Sequence, residues 1–312
     1  MFPESSMKIR VSTLLFIFVL CLSARAAMCK ELANVQGFLT SLVKKVPPRQ
    51  DRAMTGSEFA AHVSGMDRDE RERAIETELT EGNFPEFLKR LKPVQLTRRF
   101  EDGKTKTATI FAMPDYLSVG SDRDYLLAPM NLHTAIKTAI RLGFILPTKK
   151  IVDAIYRQSD VRCAPEPMPA GPEMRSTAYY VKHNQKIKKQ LVALSCVPGA
   201  LVSGHKKDVV LTNRLITSHG KIAIYGWHRP SGIPIQPLST IHGANYADYS
   251  HGIRLVSEIV LIDDEPWSMY DVLEDPKLAS VVSDEGTMPG VRQFMNLQHE
   301  LPAQRARLSA RR

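Results

Sequence analysis

The spacing of apolar residues changes along this 312-residue chain, and the change limits the folds that it can adopt. In NLHTAIKTAIRLGF, the side chains of Leu132, Ile136 and Ile140 recur with the spacing of one helix face. After Gly204 the apolar residues instead occur in short β-like runs such as KIAIYGWH. The pattern predicts an α+β fold in which a helical N-terminal half packs against a β-rich C-terminal half.

Capping residues predict where several helices begin and end. Asp67 precedes RDERERAIETELTE, which ends at Gly82, and Thr148 precedes KKIVDAIYRQ. Asn83 is expected to cap FPEFLKRL in the same way. A further helix is predicted over STAYYVKHNQKIKKQLVAL.

Turn residues predict two hairpins. VQLTRRF and TKTATIFAM flank the Asp-Gly turn of EDGK, and both alternate apolar and polar residues. RPSG separates the strand KIAIYGWH from IPIQPLSTI, whose prolines favour the edge of a sheet. DVVLTNRL is another strand candidate, and one more buried strand is expected in RLVSEIVLIDDEPWSMYDVLED before a short helix or loop.

Residues 1–27 have the pattern of a secretory signal peptide. Lys8 and Arg10 precede the apolar run 11–22, and Ala24-Arg25-Ala26 has the form of a cleavage site. The run is shorter than the roughly twenty apolar residues of a transmembrane helix, and no later segment is a candidate. We therefore expect a secreted or periplasmic protein that has no transmembrane segment after signal cleavage.

The rest of the chain divides into three regions by composition. Residues 28–200 are mainly helical with one hairpin, residues 201–290 are β-rich and hold the candidate site, and residues 291–312 form a basic tail. The formal net charge of +9 favours an anionic cell-wall polymer or a membrane surface as partner, and a small-molecule ligand is a further candidate. Nucleic acid is disfavoured because no basic stretch is interleaved with aromatic residues.

The cysteines suggest at most one intramolecular bridge. Cleavage after residue 27 would leave Cys29, Cys163 and Cys196, an odd number in an oxidising compartment. Cys163 and Cys196 are the candidate pair, and the alternative is that they are separate buried thiols.

Histidines and carboxylates are concentrated in the β-rich region. Metal binding needs neutral imidazoles and carboxylates that converge on one ion, and His205 and Asp208 are the candidates for a divalent metal. No zinc signature such as H-E-x-x-H is present, so the cofactor stays unknown. The full set is His205, His228, His242 and His251, with Asp208 and Asp248.

The segment IHGANYADYSHGIRL, residues 241–255, contains the candidate catalytic residues. His242 and His251 are candidates for general acid and base, and Asp248 would orient one of them. Ser250 is a candidate nucleophile, although no G-x-S-x-G elbow surrounds it, and a serine that closes a turn is the alternative. Arg254 is expected to hold an anionic group of the substrate.

A binding groove is the alternative interpretation of the same region. Aromatic faces and fixed donors are typical of saccharide and peptide sites, although aromatic residues at strand spacing also occur in protein cores. The candidate binding residues are Trp227, His228, Asn245, Tyr246 and Arg254.

The two His-Gly elements resemble the signature of L,D-transpeptidases, exported enzymes that crosslink peptidoglycan. His242 and Gly243 match its first element, Ser250, His251 and Gly252 match its second, and Arg254 matches its arginine. Ile253 stands where that family has its catalytic cysteine, so the resemblance does not imply ordinary transpeptidase activity.

Over its whole length the chain also resembles a family of exported bacterial proteins of uncharacterised function, through LPTKKIVDAIY, YGWH and YADYSHGIRLV. That resemblance implies secretion and no particular reaction. From these features we expect an exported cell-envelope hydrolase or related enzyme that acts on a wall polymer or peptide by His/Asp chemistry. The alternative is a non-catalytic module that binds saccharide or peptidoglycan.

Overall fold

The computed structural model describes residues 35–218 and 220–298. The chain divides into two compact units, one up to Lys44 and one from Lys45 onward. In the first unit, residues 35–42 form helix α1. The predicted signal peptide and the part of the predicted tail after residue 298 lie outside the described residues.

The second unit has helices of 4 to 17 residues and two short 3-10 helices, Glu86–Lys89 and Pro172–Arg175. Its α-helices are α2 Gly56–His62, α3 Arg68–Thr80, α4 Leu132–Leu142, α5 Lys149–Gln158, α6 Thr177–Ala193, α7 Asn213–Thr217, α8 Met269–Glu274, α9 Ala279–Val282 and α10 over 291–298.

The strands follow the same chain order. They are β1 Lys92–Arg99, β2 Thr105–Ala112, β3 Ser118–Gly120, β4 Tyr125–Leu127, β5 Phe144–Ile145, β6 Val161–Arg162, β7 Val202–Ser203, β8 Lys207–Val209, β9 Ile224–His228, β10 Pro234–Ser239, β11 His251–Gly252, β12 Val256–Ser257, β13 Ile259–Ile262 and β14 Glu265–Ser268.

The predicted α+β class is confirmed, with 37% of residues in helices and 22% in strands. Helices lie mostly in the first half of the chain, and sheets mostly in the C-terminal half. Strand β2 departs from this division, because one edge of it pairs with β1 along its whole length and the other edge pairs with β12 and β13. The six-stranded sheet therefore joins the N-terminal hairpin to C-terminal strands.

A four-stranded sheet in the order β10-β9-β8-β11 carries the candidate residues Asp208, Trp227, His228 and His251. Strands β8 and β11 are parallel, with His251 opposite Lys207 and Gly252 opposite Asp208. His228 ends β9, and the prolines of β10 lie at the sheet edge as predicted. This sheet therefore brings together segments that are more than forty residues apart in the sequence.

Local sequence signals located most helix ends correctly. The side chain of Asp67 accepts a hydrogen bond from the Glu70 amide, and that of Thr148 accepts one from the Ile151 amide. The predicted cap at Asn83 is wrong, because Pro85 precedes only a short 3-10 helix that has no side-chain cap. The side-chain oxygen of Asn83 instead accepts a hydrogen bond from Arg49 Nε at 2.9 Å, so tertiary contacts replace the local cap.

The predicted strand DVVLTNRL is correct only at its beginning. Strand β8 ends at Val209, and Thr212 then caps α7 by accepting a hydrogen bond from the Arg214 amide at 3.4 Å. A threonine at this position favours a helix start over a continued strand. Among the described residues, no helix is both long and apolar enough to cross a membrane.

Candidate functional site

The loop between β10 and β11, together with the first residue of β11, brings four of the predicted catalytic and binding residues into one cluster. The rings of His242 and Tyr246 stack with their centroids 4.0 Å apart, and Tyr246 lies edge-on to His251 at 5.7 Å. The carboxylate of Asp248 accepts a hydrogen bond from the Tyr246 hydroxyl at 3.0 Å. We call His242, Tyr246, Asp248 and His251 the loop cluster.

His251 is the unusual member of the loop cluster. It is fully buried, and neither ring nitrogen has a hydrogen-bond partner among the described residues. Burial lowers its pKa to about 4, although the charge of Asp248 opposes that shift. The imidazole is therefore neutral near pH 7. Buried polar groups without partners are rare in folded proteins, and each one requires an explanation such as a catalytic role or a bound water.

Ser250 takes no part in a Ser-His pair. Its hydroxyl donates to Asp248 at 2.5 Å, and the Ser250 amide donates to the same oxygen at 2.8 Å. These two bonds close a tight turn, which is the alternative that the sequence left open. His242 contacts the cluster by stacking on Tyr246, with no hydrogen bond to Ser250 or Asp248 among the described residues.

A cavity of about 730 Å³ lies against this loop, and we call it the loop pocket. Asn245 and Tyr246 form part of its wall, and Tyr246 also contacts His251. Arg68 and Arg175 line the pocket as well, and no carboxylate is among its lining residues in the described chain. The pocket thus combines an aromatic ring with two guanidinium groups.

Arg254 and Trp227 lie in the interior instead of on the loop pocket. Arg254 is fully buried, and it donates to the carbonyl oxygens of Met113 at 2.9 Å and Val202 at 2.5 Å. Arg254 was expected to bind an anionic group of the substrate. Its guanidinium instead donates hydrogen bonds that join separate segments of the chain. Trp227 packs in a buried cluster with Tyr249. It is therefore a core residue, which is the alternative that the sequence left open.

Asp208 and His205 each have partners within the protein. Asp208 accepts a hydrogen bond from the Tyr116 hydroxyl at 2.8 Å, and burial raises the pKa of Asp208 to about 6. The His205 Nε2 lies 3.0 Å from an oxygen of Asp115. Within residues 35–218 and 220–298, no three His, Cys, Asp or Glu side chains form a group that could hold a metal ion.

Sequence reasoning missed a buried lysine beside these residues. The ammonium group of Lys206 donates to the Tyr249 carbonyl at 2.5 Å and lies 3.2 Å from Nδ1 of His183. Burial lowers the pKa of Lys206 to about 7, and burial together with the charge of Lys206 lowers that of His183 to about 2. Nothing in HKKD marks which of its two lysines is buried.

The two candidate cysteines are free thiols, so the structure does not contain the bridge that the sequence suggested. Cys163 is buried, and Cys196 is half-buried. Burial raises the pKa of both thiols, that of Cys163 to about 12. Both groups are therefore poor nucleophiles near pH 7.

His228 lies apart from the loop pocket. Its Nε2 is 3.0 Å from Asp153, and it lines a separate cavity. Of the predicted binding residues, Asn245 and Tyr246 thus share one pocket, whereas Trp227, His228 and Arg254 do not.

Comparison of the chain with protein family models, curated proteins and solved structures gives no match. The interpretation of the loop pocket therefore depends on its own residues.

Proposed function

We propose that the protein is an exported enzyme of the cell envelope, a hydrolase or a related enzyme, that acts on an anionic wall polymer or peptide at the loop pocket. One observation carries the proposal. His251 is buried, neutral and without a hydrogen-bond partner among the described residues, and Tyr246 contacts both its ring and the loop pocket. A neutral imidazole has a lone pair that can accept a proton, which is what a general base requires.

Two arginines support an anionic substrate. The Arg175 guanidinium makes no hydrogen bond or ion pair with the described residues, and Arg68 is paired only with its exposed neighbour Asp69. Both guanidinium groups line the loop pocket. Arginine binds carboxylate and phosphate groups through paired hydrogen bonds, so either group of a wall polymer would fit here.

The proposed mechanism requires the Tyr246 ring to move aside. Its hydroxyl donates a hydrogen bond to Asp248 at 3.0 Å, and its ring lies edge-on to His251 between that residue and the loop pocket. With the ring displaced, His251 would accept a proton from a water molecule or from a substrate hydroxyl. The negative charge of Asp248 stabilises the imidazolium that results, because it raises the pKa of His251. His242 would serve as the second acid or base at the outer face of Tyr246.

Export is part of the same proposal, and the pattern of residues 1–27 supports it. A positively charged chain would also be attracted to the anionic polymers of the envelope.

The test is incubation of the purified protein with purified peptidoglycan, followed by mass spectrometry of the soluble fragments. We expect wild type to release fragments, and His251→Gln to reduce the rate at least about a hundredfold, because it removes the base. His62→Gln changes an exposed histidine at the end of α2 and serves as the control. Unchanged turnover in His251→Gln would refute the proposed base.

A binding module is the second candidate, and the stacked pair of His242 and Tyr246 favours it. A flat aromatic face beside Asn245 and Arg175 is typical of sites that hold a sugar ring. In this case the wild-type protein would co-sediment with peptidoglycan and release nothing. Tyr246→Ala would then reduce the bound fraction, whereas His251→Gln would leave it unchanged.

A further inference from the structure

A second cavity of about 480 Å³ lies where the end of α5 meets β9 and the following turn, and we call it the α5 pocket. It shares no lining residue with the loop pocket. Its chemistry comes mainly from Asp153, Tyr156, Arg157, Arg162, Tyr225 and His228.

The floor of the α5 pocket is a fixed histidine. His228 lies 3.0 Å from Asp153 through Nε2, stacks on Tyr156 with ring centroids 4.4 Å apart, and lies edge-on to Tyr225 at 5.7 Å. Because Nε2 faces a carboxylate, the proton belongs on Nε2 in the neutral ring. Nδ1 has no hydrogen-bond partner among the described residues, so it is an acceptor that is free to receive a hydrogen bond from a ligand.

The carboxylate of Asp153 is already saturated by protein donors. It accepts hydrogen bonds from Tyr225 at 2.7 Å and from Lys149 at 2.9 Å, in addition to His228. Burial opposes its ionisation, but these three hydrogen bonds lower the pKa of Asp153 to about 2. Asp153 is therefore an anion whose charge is balanced by Lys149, and it is not available to bind a cation.

The rim of the α5 pocket carries an excess of positive charge. Arg162 is held by the carbonyl oxygens of Tyr156 and Arg157, and its guanidinium lies over the Tyr156 ring. The guanidinium of Arg157 is exposed and makes no hydrogen bond or ion pair with the described residues. One guanidinium is thus fixed in place, and the other has all its donors available.

We infer that the α5 pocket binds a small oxyanion, the phosphate or carboxylate group of a soluble ligand, through Arg157 and Arg162 at the rim, while Nδ1 of His228 at the floor accepts a hydrogen bond from a hydroxyl of the same ligand. Paired guanidinium donors match the geometry of such groups. The buried and stacked position of His228 restricts the ligand to one orientation. This inference does not depend on the function proposed for the loop pocket.

The experiment titrates the full chain with inorganic phosphate, and separately with acetate, while amide cross-peaks are followed by NMR. We expect saturable shifts at Gly232 and other residues of the α5 pocket with at least one of these anions. Arg157→Gln should weaken binding of the anion about tenfold, because it removes one charge-assisted hydrogen bond to the anion. Because the Arg157 side chain makes no hydrogen bond or ion pair with the described residues, its replacement should leave the fold intact.

Arg123→Gln is the matched control, since it removes the same charge from an exposed arginine outside the α5 pocket. It should leave the affinity within twofold of wild type. Equal weakening by both variants would mean that the anion responds to net charge alone, and this would overturn the inference. So would the absence of saturable shifts with both anions. A response to phosphate alone would identify a phosphate ligand, and a response to acetate alone a carboxylate ligand.

Discussion

Glu72 lies on the buried side of α3, and both its carboxylate oxygens accept hydrogen bonds from the Asn131 amide, at 3.0 and 3.2 Å. Burial raises its pKa from 4.5 to about 7, against the opposing effect of these hydrogen bonds. Asp153 shows the opposite shift, because hydrogen bonds from three side chains outweigh the effect of burial and lower its pKa.

We expect Glu72 to make the free energy of unfolding fall as the pH rises from about 4.5 to about 7. Over that range the unfolded chain loses the Glu72 proton while the folded chain keeps it, so the folded state is destabilised by roughly 3 kcal/mol in total. Glu72→Gln should remove this part of the pH dependence. Urea denaturation at a series of pH values measures it.

The exposed Glu81→Gln is the control for this experiment, and it should keep the wild-type slope. An identical pH profile in wild type and Glu72→Gln would contradict the raised pKa of Glu72.

At the scale of elements, helix α5 connects the sequence signals to the α5 pocket. Thr148 caps the start of α5. Asp153 lies in the middle of the same helix, and its carboxylate is 3.0 Å from Nε2 of His228. The Thr148 hydroxyl accepts from the Ile151 amide at 3.2 Å and donates to the Val282 carbonyl at 2.5 Å. The same side chain therefore sets the start of α5 and joins it to α9.

Thr148→Ala is expected to lower the free energy of unfolding by about 2 kcal/mol, because it removes a helix cap and leaves a buried carbonyl without its donor. Thr148→Ser retains both hydrogen bonds and should recover most of the loss. The urea midpoint of each variant measures the effect. Equal loss in both variants would show that the methyl group, and not the hydroxyl, supplies the stability.

At the scale of the whole molecule, the second unit joins distant segments around sheets that mix early and late strands. Strand β2 pairs with β12 and β13, and the parallel pair β8–β11 brings the loop cluster beside Asp208 and Lys206. Arg254 strengthens this arrangement by donating to carbonyl oxygens from two other segments. Within the same unit, Cys163 is buried and Cys196 is half-buried.

The thiols provide a test of the global fold. In the native protein, an alkylating reagent should modify Cys196 well before Cys163, because the buried thiol has a pKa of about 12 and little access to solvent. In urea without reductant, both should react at similar rates. Peptide mapping by mass spectrometry separates the two sites from the remaining cysteines. A requirement for reductant in urea would demonstrate a disulfide in place of the two thiols.

The sequence by itself determined the features that depend on near neighbours. The α+β class, the caps at Asp67 and Thr148 and the hairpin of β1 and β2 follow from apolar spacing and turn chemistry over a few residues. The cap at Asn83 was predicted wrongly by the same logic, because the side-chain oxygen of Asn83 accepts a hydrogen bond from Arg49, which lies 34 residues away in the sequence.

Only the tertiary structure decided which polar residues share a site. Sequence composition grouped His205, His228 and His251, but the fold gives the first two separate carboxylate partners and leaves the third without one among the described residues. The fold likewise buries Arg254 in the interior, where the sequence predicted a contact with the ligand. The physical reason is that burial and hydrogen-bond partners depend on segments distant in sequence, and a one-dimensional pattern does not record them.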